Sequence, residues 1–172
     1  MEQKRGSYSM KQEGHESFSI KAAVGGVMIP IEDVRDEVFS QKMVGDGFAI
    51  EPESNDIVAP VSGTLIRIAE TGHAFYIQLN QHLKVMVHVG INTLMLKGEG
   101  FHTEWEAGMP VEAGETLVTV DRDMLEEKGY NPVISVVVID NAPGTYQYVF
   151  HENGPVKAGE SVALELHGTE ES

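Results

Sequence analysis

The sequence predicts an all-β domain, and three observations support this. Between residues 18 and 166, short runs rich in Val and Ile are separated by Gly, Pro, Asn and Asp, the pattern of strands joined by turns. Only residues 123–128 have a helical pattern. A weak repeat relates GMPVEAGETLVTV, which starts at Gly108, to NGPVKAGESVALEL, which starts at Asn153. The repeat suggests two similar strand-turn-strand units folded on each other.

The strands and the helix can be placed from the same pattern. In chain order, the predicted strands are 64–69, 73–79, 83–89, 116–121, 133–140, 145–150 and 162–166. The helical segment has Asp123 and Glu126 spaced as an N-terminal capping pair, and Gly129 follows as its stop. The repeated units resemble the hybrid motif of biotinyl and lipoyl carrier domains, but the cofactor-bearing lysine of those domains is missing. We therefore predict one or two short helices in a duplicated β-domain.

Length and composition limit the domain count and the chemistry. A chain of 172 residues suits one hydrophobic core better than two. Its net charge of -15 argues against nucleic acid, because phosphate backbones are bound by clustered Lys and Arg. The absence of cysteine excludes disulfides, thiolate metal sites and cysteine nucleophiles. Any group-transfer chemistry must use another side chain.

The two ends of the chain are predicted to be tails. Residues 1–17 are polar and lack periodicity, so they cannot bury enough apolar surface to offset the entropy of ordering. Residues 167–172 have the same character, which leaves 18–166 as the folded domain. The start of the chain has no apolar signal region, and no run reaches the roughly 20 apolar residues of a spanning helix. We expect a cytoplasmic protein with no membrane insertion.

Two of the seven histidines stand out because they lie in apolar alternating runs. His73 lies in GHAFYIQL and His88 in LKVMVHVG, and a polar turn at residues 80–82 joins the runs. If that turn centres on Asn80 and Gln81, His73 lies directly opposite His88 on one face of the sheet. Directly opposed residues have Cβ atoms about 4.5–5.5 Å apart. A slip of one residue would break this alignment.

Facing imidazoles allow several functions. They can bind zinc with a third ligand, divide the roles of nucleophile and stabiliser, or simply stack. Phosphoryl transfer requires a neutral imidazole nitrogen as the nucleophile and a nearby donor to neutralise charge on the phosphoryl oxygens. Because histidine titrates near neutral pH, a phosphohistidine can form and discharge without a large driving force. The pair therefore favours a functional interpretation over an inert one.

Several motifs, in order along the chain, resemble the glucose-type enzyme IIA of the bacterial phosphoenolpyruvate:sugar phosphotransferase system. They are IEDVRDEVFSQKMVGDGFAIEP, VAPVSGTL, ETGHAFYI, VMVHVGINTLMLKGEGF and AGMPVEAGETLVTVDRDMLEEKGY. Together they cover nearly all of residues 24–166. The resemblance implies a compact antiparallel β-sandwich. It also implies that His88 is the phosphorylated histidine, that His73 stabilises the phosphoryl group, and that the Thr71 hydroxyl hydrogen-bonds and orients the active histidine.

The resemblance further implies the partners. Phospho-HPr would donate the phosphoryl group, and a cysteine of an enzyme IIB domain on a permease for glucose, N-acetylglucosamine or a related sugar would accept it. Family members present a shallow apolar surface to these partners, and the matching positions are Val38, Phe39, Met43, Val44 and Phe75. The alternative is that some of these residues belong to the core, and for Phe39 this interpretation is favoured. We expect a monomer without cofactor or bound metal. Where enteric members carry acidic residues that help bind regulated partners and a bridging zinc, this chain has Gln78, Asn92 and Met95.

Two alternatives remain at this stage. A zinc metallopeptidase of the duplicated hybrid-motif type has a similar fold, but a catalytic zinc needs three protein ligands and an open position. The sequence has no HxH pair near either histidine and no upstream His-x-x-x-Asp. The second alternative is a regulatory enzyme IIA-like module without phosphotransfer. The presence of both histidines and Thr71 argues against it.

Overall fold

The computed structural model describes residues 16–169, in which antiparallel strands are joined by tight turns and two short helices. The strands are β1 (Ser17–Lys21), β2 (Gly26–Pro30), β3 (Asp46–Pro52), β4 (Asp56–Val58), β5 (Gly63–Ile68), β6 (Ala74–Gln78), β7 (Leu83–Val89), β8 (Phe101–His102), β9 (Pro110–Val111), β10 (Thr116–Val120), β11 (Ile134–Asp140), β12 (Tyr146–Phe150), β13 (Gly154–Val156) and β14 (Val162–Gly168). The helices are α1 (Glu37–Ser40) and α2 (Arg122–Glu127), and 3₁₀ turns occupy Ile31–Asp33 and Thr93–Leu96. The predicted all-β class is confirmed.

The largest sheet has eight strands in the order β9-β5-β6-β7-β11-β3-β2-β13. Two three-stranded sheets, β4-β10-β8 and β12-β14-β1, complete the described part of the chain. The hairpin of β6 and β7 lies in the middle of the large sheet, and β11 pairs with the other side of β7. A central strand has both edges hydrogen-bonded, so side chains on β7 have well-defined positions.

The large sheet buries apolar side chains on both faces. On one face the main core includes Val85, Val87 and Val89 of β7, together with residues of the two smaller sheets. On the other face a smaller core forms between the sheet and the segment that contains α1. Its buried members are Ile31, Val34, Phe39, Ala49, Met86, Val133 and Val137. Because strand residues alternate between faces, His88 lies on the same side as Met86, at the smaller core.

All seven predicted strands are present, and their ends agree with the prediction within one or two residues. The predicted helix is also present, but the predicted capping residue is wrong. The carboxylate of Asp121, rather than that of Asp123, accepts the N–H of Met124 at 3.1 Å. The sequence pattern did not indicate β1 to β4 or α1. In α1 the cap is Asp36, whose carboxylate accepts the Val38 N–H at 2.9 Å.

The two copies of the repeat form β9–β10 and β13–β14, and their glycine turns lie against each other. The N–H of Gly114 donates to the carbonyl of Ala59 at 2.8 Å, and the N–H of Gly159 donates to that of Ala22 at 2.9 Å. The Ala22 and Ala59 carbonyls therefore accept equivalent bonds from the two turns. This equivalence supports the predicted duplication.

The predicted tails lie mostly outside the described residues, since residues 1–15 and 170–172 are not among them. Strand β1 begins at Ser17, and β14 extends through His167 to Gly168, so two residues of the predicted C-terminal tail belong to a strand. Within residues 16–169, no helix combines the length and the apolar character needed to cross a bilayer.

Candidate functional site

The β6–β7 hairpin is joined by a three-residue loop rather than the two-residue turn assumed from the sequence. The N–H of Leu79 bonds to the carbonyl of Leu83 at 2.9 Å. The side-chain oxygen of Asn80 accepts the N–H groups of His82 and Leu83 at 2.8 and 2.9 Å. This side chain stabilises the longer loop and shifts the register by one residue. The predicted direct pairing of the two histidines is therefore wrong.

His88 pairs instead with Ala74 on β6 and with Ser135 on β11. His73 precedes the first residue of β6, and its carbonyl accepts the N–H of Val89 at 2.8 Å. Because His73 belongs to the turn, its side chain is not bound by the alternation of the strand. The two imidazole rings meet despite the shifted register. Their centroids lie 5.1 Å apart at an interplanar angle of 79°.

The ring of His88 is held from inside the protein by a main-chain carbonyl. Its Nδ1 lies 3.0 Å from the oxygen of Gly90. A carbonyl oxygen can only accept, so Nδ1 carries the proton and donates it. In the neutral ring this leaves the lone pair on Nε2, the nitrogen required of a nucleophile. The bond to Gly90 therefore sets the tautomer of His88.

Burial keeps both histidines neutral near pH 7. Loss of solvent lowers the pKa of His88 to about 4, and the neighbouring His73 adds to this effect. The Gly90 bond and the charge of Asp36 oppose it without reversing it. Burial also lowers the pKa of His73. A neutral His88 with a free Nε2 has the charge state that phosphoryl acceptance requires.

Thr71 lies at the site, but it contacts a different histidine from the one expected. The family resemblance implied a hydrogen bond from this hydroxyl to the active histidine, His88. In the structure the Thr71 Oγ1 lies 2.5 Å from Nδ1 of His73. The Nδ1 of His88 is already occupied by Gly90. The expected contact is therefore corrected, and Thr71 orients His73.

Two members of the predicted partner-binding patch are buried. Phe75 pairs with Val87 and points into the main core with no exposed surface. Phe39 is only 5% exposed, and its ring contacts that of His88 with a centroid separation of 4.8 Å and a tilt of 57°. Side chains covered in this way offer little surface for docking. We correct both assignments: Phe75 belongs to the core, and Phe39 packs against the His88 ring and contributes little exposed surface.

The other three members of the patch are exposed as expected. Val38 is 42% exposed, Met43 71% and Val44 36%. Sequence reasoning did not include Leu94 and Met95, which are 53% and 63% exposed on the 3₁₀ turn that follows β7. Val38, Phe39, Leu94 and His88 line one shallow depression. The signal for Leu94 and Met95 was their position only six and seven residues after His88.

Comparison with known proteins identifies the family. Residues 18–143 match the model of the family described as phosphoenolpyruvate-dependent sugar phosphotransferase system, EIIA 1. The chain belongs to this family. Its role is that of a phosphocarrier of the phosphotransferase system, and it is a phosphotransferase component. The recognition made from the motifs around His73 and His88 is confirmed.

The relatives agree with this assignment over most of the chain. The glucose-specific EIIA component of Haemophilus influenzae is 40% identical over 159 residues, covering 92% of this chain and 95% of the relative. An N-acetylglucosamine-specific EIICBA component of Klebsiella pneumoniae is 37% identical over 87% of this chain, which spans 23% of that larger protein. The structure of glucose permease IIA from Mycoplasma capricolum superimposes with a TM-score of 0.78 at 37% identity, covering 90% of this chain and 99% of the other.

These findings do not support either alternative function. The family, the relatives and the similar structure are all components of the sugar phosphotransferase system rather than peptidases. Within residues 16–169, no group of three or more His, Cys, Asp and Glu side chains is arranged to hold a metal ion.

Proposed function

We propose that the chain accepts a phosphoryl group from phospho-HPr on Nε2 of His88 and passes it to a cysteine of an enzyme IIB domain. The observation that carries this proposal is the geometry of the histidine pair. Nδ1 of His88 is tied to Gly90 at 3.0 Å, and the His73 ring lies 5.1 Å away between centroids. This arrangement pairs one nucleophilic nitrogen with one hydrogen-bond donor, as in-line phosphoryl transfer requires.

The transfer can be written as two displacements. In the first, the lone pair of His88 Nε2 attacks phosphorus, a P–N bond forms, and the P–N bond to the HPr histidine breaks. In the second, a cysteine thiolate attacks phosphorus, a P–S bond forms, and the P–N bond to His88 breaks. The electron pair of that bond returns to Nε2, which restores the starting tautomer. Nδ1 keeps its proton throughout because the Gly90 carbonyl continues to accept it.

His73 would stabilise the transferring group. Its Nδ1 lies against the Thr71 hydroxyl at 2.5 Å, and a hydroxyl can donate as well as accept. When Thr71 donates to Nδ1, the proton of His73 resides on Nε2. That N–H can then bond to phosphoryl oxygens, where a preorganised donor stabilises developing charge. The two histidines therefore act as opposite tautomers, one as acceptor of the phosphoryl group and one as hydrogen-bond donor to its oxygens.

The exposed apolar surface around His88 supports docking of the partners. Val38 and Leu94 line the depression, and Met43, Val44 and Met95 are exposed on the same two chain segments. Exposed apolar patches mark protein interaction sites. HPr and the enzyme IIB domain would use this patch in turn. The names of the relatives, glucose-specific and N-acetylglucosamine-specific components, support a permease of that class as the acceptor. One chain supplies both histidines, so the site needs no second copy, which supports the proposal of a monomer that acts in the cytoplasm.

Phosphorylation by the reconstituted donor proteins tests the proposal. The protein is incubated with phosphoenolpyruvate, enzyme I and HPr, and its mass is measured before and after mild acid. We expect the mass of one phosphoryl group to be gained and then lost in acid, since phosphohistidine is acid-labile. Omission of HPr is the control and should prevent the gain. Adding an enzyme IIB domain should move the label to its cysteine.

The same experiment separates a phosphocarrier from a regulatory module that only keeps the fold. A module without phosphotransfer would stay unlabelled under conditions that label a known EIIA component. Label that is stable to acid would also contradict the proposal, because it would indicate an ester rather than a phosphohistidine. Peptide mapping of the labelled protein should place the group on the segment that contains His88.

A further inference from the structure

Thr93 has an unusual environment for a polar side chain in this protein. Among residues 16–169, only two polar side chains, Thr93 and Ser135, are buried, and Thr93 is 1% exposed. Burial of a hydroxyl is costly unless it finds a hydrogen-bond partner. The Thr93 hydroxyl donates to the main-chain carbonyl of Val89, four residues earlier. The buried hydroxyl therefore bonds to the strand that carries His88.

The backbone at Val89 and Gly90 is fixed by hydrogen bonds on every side. The Val89 N–H donates to the His73 carbonyl at 2.8 Å, and its own carbonyl accepts from Thr93. The Gly90 N–H donates to the Val133 carbonyl at 2.7 Å, and the Gly90 carbonyl accepts from Nδ1 of His88. Thr93 supplies the only side-chain donor among these four contacts apart from His88 itself. It thus holds the backbone immediately before the carbonyl that sets the tautomer.

Thr93 also packs against Gly90 directly. Gly90 has φ +77, a conformation that side-chain-bearing residues rarely adopt. A Cβ added there would lie 2.4 Å from the Thr93 methyl carbon and 3.1 Å from the carbonyl oxygen of Asn131. The Thr93 methyl therefore occupies the space beside the Gly90 backbone. The hydroxyl thus bonds to the peptide unit between Val89 and Gly90, and the methyl lies beside Gly90.

We propose that Thr93 is a positioning residue that keeps the Gly90 carbonyl in place for Nδ1 of His88 and so maintains the nucleophilic tautomer. The inference rests on the proposed function of His88 as phosphoryl acceptor. Without the Thr93 donor, the Val89 carbonyl loses its buried partner. The next peptide unit, which carries the Gly90 carbonyl, is then held only by the Ile91 N–H, which donates to the Asn131 carbonyl at 3.0 Å, so its orientation is less firmly fixed. The Nδ1 bond then weakens, and the proton moves to Nε2 in a larger share of molecules. Those molecules have no lone pair to offer phosphorus.

A pair of substitutions isolates the hydroxyl. Thr93→Ser and Thr93→Ala both lack the methyl group and differ only in the presence of Oγ. Long-range ¹⁵N–¹H NMR of the imidazole measures the tautomer of His88, and initial rates with varied phospho-HPr measure acceptance. For Thr93→Ala we expect a smaller Nδ1–H share and a maximal rate about tenfold lower, the size of one buried hydrogen bond. The KM for phospho-HPr should stay within about twofold, and Thr93→Ser should restore the wild-type tautomer and rate.

Thr103→Ala provides a matched control for lost stability. The Thr103 hydroxyl also donates to a main-chain carbonyl, that of Leu117, at 2.6 Å, but Thr103 follows β8 and its partner Leu117 belongs to β10. This variant should lower the thermal midpoint while leaving the His88 tautomer and the acceptance rate unchanged. If Thr103→Ala shifts the tautomer as much as Thr93→Ala, the effect is general loosening and the proposal is overturned. A wild-type tautomer and rate in Thr93→Ala would overturn it as well.

Two further outcomes distinguish a failure of the proposed phosphocarrier function from a failure of the role proposed for Thr93. If Thr93→Ala is too unstable to measure, Thr93→Val, which lacks the hydroxyl but retains the methyl, replaces it in the comparison with Thr93→Ser. If the wild-type protein takes no phosphoryl group while Thr93→Ala still shifts the tautomer, the proposed function fails and the positioning role stands. If the wild-type protein is labelled and neither variant differs from it, the phosphocarrier mechanism stands without Thr93.

Discussion

The two histidines of the site are held in different ways. His88 lies near the end of a central strand, and a main-chain carbonyl accepts its Nδ1 proton. His73 lies in the turn before β6, and a side-chain hydroxyl contacts its Nδ1. A carbonyl can only accept, whereas a hydroxyl can also donate, so the backbone imposes one tautomer on His88 and the hydroxyl permits either on His73. On this difference we base the proposal of separate roles for two chemically identical rings.

The two histidines also differ in how strongly burial affects them. Burial lowers the pKa of both rings, and the effect is large at His88, whose pKa falls to about 4. Phe39 covers one side of the His88 ring at 4.8 Å between centroids. A nucleophile must be neutral with a lone pair available, and a donor to a transferring group must be preorganised toward the charge that develops. The more deeply buried histidine, whose tautomer is set by a main-chain carbonyl, is therefore the one to which we assign the nucleophilic role.

The largest expected effect tests that assignment directly. His88→Gln removes the nitrogen that would hold the phosphoryl group, so we expect labelling by phospho-HPr to be abolished. His102→Gln is the matched control, because His102 is an exposed histidine on β8, outside the site. It should label at the wild-type rate. Persistent acid-labile label in His88→Gln would reverse the comparison and make His73 the candidate acceptor.

The second prediction separates acceptance from delivery. In His73→Gln the amide can still donate a hydrogen bond to a resting phosphoryl group, so uptake from phospho-HPr should persist. Delivery to a thiolate requires charge to be stabilised on the transferring group, where loss of a preorganised donor typically costs about 3 kcal/mol. We therefore expect delivery to the enzyme IIB cysteine to fall roughly a hundredfold. Radiolabel uptake followed by a chase measures both steps, and equal losses in both would remove the distinction.

Much of the site could be predicted because its residues lie in strongly patterned strands. The alternation in LKVMVHVG gave the bounds of β7, Leu83–Val89, without error. The register was missed by one residue because it depends on the loop length, and the Asn80 side chain stabilises three loop residues instead of two. The two histidines are nevertheless close together, because His73 lies in the turn before β6 and its side chain does not follow the alternation of the strand.

Other elements were missed because their residues serve tertiary contacts. Strand β3 contains Gly47, which suggests a turn in sequence, but a Cβ at that position would lie 2.0 Å from the carbonyl oxygen of Val136. Close approach of two central strands therefore explains the glycine. The core position favoured for Phe39 is found in the structure, but the burial of Phe75 was inaccessible to motif comparison, which shows that residues are near a site but not which way they point. Leu94 and Met95 were missed for the same reason.

The third prediction uses pH to compare the two rings. His88 stays neutral in the folded protein down to a pKa of about 4, whereas the unfolded chain takes up a proton below about 6.5. The contribution of neutral His88 to stability is thus complete above pH 6.5 and is lost as the pH falls from 6.5 toward 4. Relative to His88→Gln, the wild type should lose roughly 2 to 3 kcal/mol of unfolding free energy between pH 7.5 and 4.5.

Urea unfolding at the two pH values measures this loss, and the difference between variants cancels the titration of groups they share. The same experiment on His73→Gln should give a smaller difference of the same sign, because burial lowers the pKa of His73 less strongly. Parallel pH profiles for the wild type and His88→Gln would contradict the burial argument. A larger effect at His73 than at His88 would reverse the order of depth.

The smallest expected effect is that of substituting Thr71, and it tests which histidine the Thr71 hydroxyl orients. The 2.5 Å contact to Nδ1 of His73 predicts that Thr71→Val leaves His73 in place but without its orienting partner. Delivery to the enzyme IIB cysteine should then fall about fivefold, the worth of one ordinary hydrogen bond, while acceptance from phospho-HPr should remain at the wild-type rate. Thr71→Ser keeps the hydroxyl and should restore delivery. Thr71→Val could instead slow acceptance and shift the tautomer of His88. That result would mean that the hydroxyl acts on His88 during catalysis, as the family resemblance implied. The contact with His73 would then be confined to the resting protein.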